Sequence, residues 1–187
     1  MNHLGTQTIE TERLILRRFC ADDAQAMFNN WASDAEVTKF MTWPPYQSVE
    51  GVTCYLEFVE SSYANGDLYW AIELKEIGEP VGAISVVSIN EAVKSVEIGY
   101  GIGRKWWHSG ITSEAFAAVI KFLFDNTDVN RIEAKHDTNN PNSGKVMKKC
   151  GLKYEGTLRR AGLNNQGICD SAVYSILREE YENEFNN

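Results

Sequence analysis

Two rhythms of apolar positions alternate along this chain, one of period two and one near 3.6, and the switches between them mark its elements. The run Arg13-Leu14-Ile15-Leu16-Arg17-Arg18-Phe19 predicts a first strand. Asp22 or Asp23 then caps a helix carrying Ala24, Met27, Phe28 and Trp31 at helical spacing. Trp43-Pro44-Pro45-Tyr46 ends any helix, and Ser48 caps the next, whose stripe is Val49, Val52, Leu56, Val59 and Tyr63 before Gly66. Three strands follow over 69–74, 81–89 and 96–102, parted by turn-rich segments at 76–80 and 90–95. Gly99, Gly101 and Gly103 imply a bulge or the close approach of another backbone.

A buried helix is expected at 113–124, a strand at 131–137, a turn at 139–143 and a short helix at 144–150 stopped by Gly151. Strands at 152–155 and 169–177 complete the set, joined by a polar connection containing Gly156, Gly162 and Gly167. The order is β-α-α-β-β-β-α-β-α-β-β. Consecutive strands over 69–102 favour antiparallel pairing, whereas the helix at 113–124 demands a crossover to a parallel neighbour. The prediction is an α/β protein: one domain over 1–187, with a central mixed, mostly antiparallel sheet and helices on both faces.

Composition narrows the function classes. A length of 187 residues suits one domain with a sizeable core, and 43% hydrophobic with 24% charged residues is ordinary for a soluble globular chain. A net charge of -8 argues against a nucleic-acid binder and favours a cationic partner such as an amine or a basic protein. Cys20, Cys54, Cys150 and Cys169 form no C-x-x-C pair and read as reduced thiols of a cytoplasmic protein. Residues 1–10 lack the basic and apolar parts of a signal peptide, and no apolar run reaches the roughly 18 residues of a membrane span. His3, His108 and His136 lack ligand spacing, so no metal is expected.

One turn carries candidate chemistry. Trp106-Trp107-His108-Ser109-Gly110-Ile111-Thr112-Ser113-Glu114-Ala115 joins the strand at 96–102 to the buried helix. A polar, glycine-containing turn there aims several backbone N–H groups at one point, and the helix dipole adds partial positive charge. It is a seat for phosphate or pyrophosphate.

Around this turn stand Glu97-Ile98-Gly99-Tyr100 before it, and Asn140-Pro141-Asn142-Ser143 and Lys149-Cys150-Gly151-Leu152 after it. Asp170 to Tyr174, with Ser175-Ile176-Leu177, closes the series. In order and spacing these patterns resemble the GNAT N-acetyltransferase superfamily, and within it the RimJ/RimL branch of ribosomal-protein N-terminal acetyltransferases. The element order agrees from Glu12 to Tyr181. The resemblance implies acetyl-CoA as co-substrate, its pyrophosphate bound by the backbone amides of a loop that usually reads Q/R-x-x-G-x-G/A. Here Trp107 takes the first position, Gly110 the first glycine and Thr112 the last small position, with Ser109, Ile111 and Ser113 in the same cradle. His108 stands where the branch commonly has another glycine, and the donors survive if its φ stays negative. The resemblance also implies that Tyr100, Gly101 and Ile102 splay from the parallel neighbour and hydrogen-bond the pantetheine arm. Asn140 would lie near the pantetheine and Ser143 near the thioester sulfur, while charge alone nominates Lys145 and Lys148 for the adenosine phosphates.

Acetyl transfer to an amine requires that the amine lose a proton and the oxyanion be stabilised, and the departing thiolate benefits from a proton. Glu97 is the candidate base, because the apolar set Val96, Ile98, Tyr100 and Ile102 turns its side chain to the other face. Histone acetyltransferases of the superfamily carry a glutamate at a similar place; a solvated strand carboxylate explains Glu97 equally well. Glu114 is the second candidate, or merely complements the helix dipole. Ser143 serves the thiolate, or caps the helix, or both. Tyr154 and Tyr174 are spare hydroxyls or packing, and Asp170 attracts the ammonium or is a surface carboxylate. Trp31, Phe40, Trp43 and Tyr46 wall the acceptor groove or fill the core. Cys150 and His108 lack a third orienting residue and are not read as a nucleophile pair.

These readings converge on an acetyl-CoA-dependent N-acetyltransferase working by direct transfer, without a covalent enzyme intermediate. The acceptor is a primary amine: by resemblance the N-terminus of a basic ribosomal protein, otherwise a small amine, with specificity set in segments 30–68 and 156–168. A non-catalytic acyl-CoA-binding module is the competing class. A homodimer formed through an edge or groove contact is a further expectation from the branch.

Overall fold

The computed structural model of the protein describes residues 4–185. The readings of His3 and of the first three N-terminal positions lie outside the described residues. Strands β1 (Ile9–Glu10) and β2 (Leu14–Arg17) are followed by α1 (Ala24–Met27), which runs into a π turn over Phe28–Ala32, then α2 (Ala35–Thr38) and α3 (Val49–Ser62). Next come β3 (Tyr69–Leu74), β4 (Glu79–Asn90), β5 (Ser95–Ile102), α4 (Ile111–Asn126), β6 (Arg131–Asp137) and α5 (Pro141–Lys149). The hairpin β7 (Lys153–Asn164) and β8 (Gly167–Leu177) leads into α6 (Arg178–Phe185). One mixed sheet has the order β1-β2-β3-β4-β5-β6-β8-β7, and among the described residues only β5 and β6 pair in parallel.

Alternation along the strands divides the core into two layers. Leu14, Leu16, Trp70, Ile72, Ile84, Ile98 and Ile132 bury one face against Phe116, Ile120 and Leu123 of α4. Ala71, small enough to admit a helix, packs on the other face with Trp31, Val52, Leu56 and Val59. Helices thus cover both faces, and Ser48 caps α3 as expected, its Oγ accepting the Gly51 N–H at 3.4 Å.

Parallel pairing of β5 with β6 lasts only from Ser95↔Arg131 to Glu97↔Glu133. Beyond it β5 continues to Ile102 and β6 to Asp137 without pairing to each other, so the two strands splay. The glycines on this strand answer to close approach rather than to a bulge. A methyl at Gly99 would stand 2.9 Å from Val87 Cγ1, and one at Gly101 would stand 2.5 Å from Met41 Cε. The register shift lies in β4, between Val86 and Ser88.

Several boundaries differ from the expectation. The first helical segment is entered by a 3-10 turn, and Asp23 stands at the N-cap of α1 as expected, but its side chain makes no bond to that helix and its Oδ2 instead accepts the Cys20 N–H at 2.9 Å. The helix expected from 144 starts at Pro141, which tolerates the first turn because its missing N–H has no partner to lose there. Gly144 lies inside that helix, where a methyl would stand 2.6 Å from His136 Nε2. The polar connection at 156–168 is in fact most of a long hairpin. Two register shifts, at Tyr154/Gly156 and Leu158/Gly162, break its period-two pattern and hide it.

Candidate active site

Strand β5 ends in a 3-10 turn over Arg104–Trp106, held by the Gly103 N–H donating to Val81 O at 2.9 Å. The chain then passes through two left-handed residues, His108 at φ 61 and Gly110 at φ 81, before α4 begins. The condition of a negative φ at His108 is therefore not met. The turn needs this conformation to reverse the chain around Ser109, whose Oγ donates to Trp106 O at 2.5 Å. Histidine tolerates it better than most residues, though not as freely as glycine.

Past Gly110 the first turn of α4 leaves the N–H groups of Ile111, Thr112 and Ser113 without helical acceptors. Two cations converge there, since a methyl at Gly110 would lie 3.6 Å from Arg13 Nη2 and 3.7 Å from Lys149 Nζ. Arg13 is steered by Glu114, which accepts from Arg13 Nε at 2.7 Å and from Thr11 Oγ1 at 2.6 Å. Burial pushes the Glu114 carboxyl upward, but the bonds from Thr11 and Arg13 outweigh it and hold the group below the ordinary glutamate value. Glu114 is thus a clamp between β2 and the start of α4, and its lone pairs are committed. It is no base.

The turn opens into a cleft of about 450 Å³ running to the splay. Tyr100, Gly101, Ile102, Trp107, His108 and Gly110 line one side together with Thr112 and Ser113, and Asn140, Ser143 and Lys145 line the other. Ser109 and Ile111 belong to the turn but not to the wall; Ile111 is 3% exposed and packs in the core. Ile102 O accepts the Trp107 indole N–H at 3.1 Å, which fixes Trp107 against the end of β5 and leaves that carbonyl one further lone pair. The Tyr100 hydroxyl donates to Ser143 O at 3.0 Å and lies 3.0 Å from Ser143 Oγ. Burial pushes the Tyr100 phenol well above its ordinary pKa, so it is a neutral donor at physiological pH. Ser143 stands inside the first turn of α5 rather than at the cap, which is Asn140.

Glu97 is absent from this wall. It lies where β5 and β6 part, turned from the α4 face by strand alternation, with Oε2 accepting from Lys135 Nζ at 2.7 Å. Lys135 also pairs with Glu133 at 3.2 Å. Lys148 faces away, 5.9 Å from the Tyr174 ring centre, and Lys149 takes the place charge alone had given it. Asp170 Oδ1 accepts the Arg160 N–H at 2.8 Å, and Tyr154 bonds Thr157, so neither reaches the cleft. Of the aromatics, Phe40 lines the cleft beside Met41 and Glu36, Trp31 is core at 2% exposure, and Trp43 packs against Tyr46 with ring centres 5.6 Å apart and planes tilted by 49°. Cys150 lies under α4, its Sγ donating to Ser113 O at 3.3 Å, and burial pushes its thiol up to about 12. That is no nucleophile. Among the described residues no group of three His, Cys, Asp or Glu is placed to hold a metal ion.

Residues 13–153 match the family described as an Acetyltransferase (GNAT) domain. The chain belongs to the GNAT acetyltransferase family. It is thus an acetyl-CoA-dependent acyltransferase. Among GNAT relatives, an uncharacterized N-acetyltransferase, p20, of Bacillus licheniformis is 32% identical over 94% of this chain and 98% of its own. The [Ribosomal protein uS5]-alanine N-acetyltransferase of Escherichia coli is 23% identical over 79% of each. A GNAT-family acetyltransferase from Bacillus anthracis superposes with a TM-score of 0.80 at 27% identity, covering 92% of this chain and 99% of that one. The GNAT fold of microcin C7 self-immunity acetyltransferase MccE, solved with acetyl-CoA and AMP, gives 0.81 at 22% identity, over 89% and 93%.

Arg13, Lys149 and Met41 were not singled out from the sequence. Arg13 and Ser109 are 96 positions apart, and no local pattern signals that they meet. Lys149 did carry a signal: it follows Lys145 by one helical turn, on the same face of α5.

Proposed function

We propose that this enzyme moves the acetyl group of acetyl-CoA directly to a primary amine, and that the amine is the N-terminus of a protein. The observation that carries the reading is the seat at Gly110, where left-handed backbone, free helix N–H groups, Arg13 and Lys149 converge at the mouth of a cleft leading into the splay. A pyrophosphate in that seat directs the thioester toward Tyr100 and Ser143. The neutral amine attacks the carbonyl carbon, the C–N bond forms, and the C–S bond breaks. The amine's proton passes to Glu97 directly or through water and on to solvent, and the thiolate takes one from the Ser143–Tyr100 hydroxyl pair, which regains it from solvent. Lys135 holds the Glu97 carboxylate in place between the strands. Tyr100, Gly101, Asn140 and Lys145 bind the pantetheine and phosphate groups, and Trp107, His108, Ser109, Ile111, Thr112 and Ser113 shape the seat.

The relatives named for uS5 alanine and for ribosomal-protein serine support a protein N-terminus as acceptor, as does the net charge of -8, which attracts a basic protein. The test is release of free CoA thiol from acetyl-CoA with a panel of alanine- and serine-led basic peptides and of small amines. Peptide-stimulated release is expected, and Glu97→Gln should slow kcat by about a hundredfold or more with acetyl-CoA affinity unchanged. Release with small amines alone would overturn the acceptor, and an undiminished rate in the variant would remove Glu97 as base.

A further inference from the structure

The splayed ends of β5 and β6 are rejoined by side chains. At the end of β6, Asp137 Oδ2 accepts from Asn164 Nδ2 at 2.7 Å, while Oδ1 accepts the Asn139 N–H at 2.8 Å. Asn164 begins the turn of the β7–β8 hairpin. The next residue, Asn165, reaches more than a hundred positions back along the chain. Its Nδ2 donates to Thr38 O at 2.8 Å and to Trp43 O at 2.7 Å, and its N–H donates to Met41 O at 3.1 Å. Met41 in turn lies against Gly101 near the end of β5. The path Asp137–Asn164–Asn165–Met41–Gly101 thus spans the gap that the sheet leaves open, and it links the two walls of the cleft: Phe40 and Met41 on one side, Asn139 and Asn140 on the other.

We propose that the hairpin turn is a strap across the splay and that Asn165 is a positioning residue for the acceptor, acting through the loop that carries Phe40 and Met41. Two features favour a built device over incidental contact. Asn165 spends both amide hydrogens and its backbone N–H on one loop, and the carbonyls of Met41 and Trp43 take their bond from it, while Thr38 O also accepts the Met41 N–H. Gly167 at φ 101 closes the turn in a conformation that favours glycine, and the adjacent Asn164 and Asn165 reach different partners, Asp137 on one side and the Thr38–Trp43 loop on the other. The pyrophosphate seat, built from Gly110, Arg13 and Lys149, shares no residue with the strap. This inference rests on the acetyltransferase reading of the cleft.

The test compares full-length wild type with Asn165→Ala, which loses both side-chain donations, and Asn165→Asp, which sets a carboxylate against two carbonyls. Acetyl-CoA affinity by calorimetry should stay within about twofold. With the peptide acceptor, KM should rise about tenfold in the alanine variant and further in the aspartate variant, with kcat changed less than about threefold. Lowering the pH should partly rescue Asn165→Asp, whose protonated acid can donate again. The Met41 amide, which donates to Thr38 O at 2.8 Å, should exchange with solvent about tenfold faster in Asn165→Ala. Unchanged exchange, or an unchanged KM, would overturn the strap. Failure of the wild type to bind acetyl-CoA would instead sink the functional reading and leave the exchange result standing on its own.

Discussion

His108 holds a φ of 61, a region that costs an L-residue about 1–2 kcal/mol and a β-branched one more. Glycine would escape that cost but would lose about 0.5–1 kcal/mol to the greater freedom of its unfolded chain. The two terms nearly cancel, so His108→Gly should match or slightly exceed wild-type stability in urea unfolding. His108→Val should lose about 1–2 kcal/mol. Equal stability of the two variants would mean that the backbone there is not the constraint. That His108 stands at a glycine position was legible in the sequence; the sign of its φ was not, because dihedral sign follows from the path of the whole turn. Tyr100 and Ser143 were legible as neighbours of the cleft, yet their mutual hydrogen bond is a tertiary fact. Glu114 shows the opposite limit: its place in the first turn of α4 was readable, while the Arg13 and Thr11 contacts that disqualify it as a base come from a segment far back in the chain.

Strands β3 and β6 were read to the residue, β6 because one buried face makes most of it alternate, and β3, buried on both faces, because turn residues bound a short β-forming run. Strand β7 was read only at its start, over 152–155, because beyond it the strand is an exposed edge shifted twice in register. What pins its start to the sheet is polar. Arg131 on β6 donates to Glu155 Oε2 at 2.6 Å, and Ser175 Oγ on β8 donates to Glu155 Oε1 at 2.7 Å. These bonds, Arg131 first and Ser175 second, lower the Glu155 pKa from 4.5 to about 2. A carboxyl depressed on folding stabilises the native state fully above its unfolded pKa and loses that contribution as the pH falls through the folded one. The window is therefore pH 4.5 down to about 2. Glu155 is 43% exposed at its side chain, so solvent screening trims the effect. Glu155→Gln should have a lower urea midpoint than wild type at pH 7, and the two curves should converge as the pH approaches 2. Parallel curves across that window would show that the bridge contributes nothing.

On the scale of the molecule, the order of elements decided the architecture. Successive strands at 69–102 could only meander, and one long buried helix between strands forced the parallel pair whose splay makes the cleft. Charge distribution was only half legible. Composition gives -8 overall, yet the cleft gathers Lys39, Lys145 and Lys149 against the single carboxylate of Glu36, with Arg13 behind them. The anionic donor is thus repelled at long range and held at short range, while a basic acceptor peptide is attracted at long range. Salt separates these terms, because distant charges are screened beyond a Debye length of about 8 Å at physiological ionic strength and contacts within the cleft are screened less. Raising ionic strength from low to physiological should therefore slow association of a basic acceptor peptide and raise its KM, while the association rate of acetyl-CoA stays level or rises. Stopped-flow binding of each substrate across a salt series measures this. Parallel slowing of both would mean that the cations of the cleft dominate the field even at a distance, and that the acidic surface plays no part in drawing the acceptor.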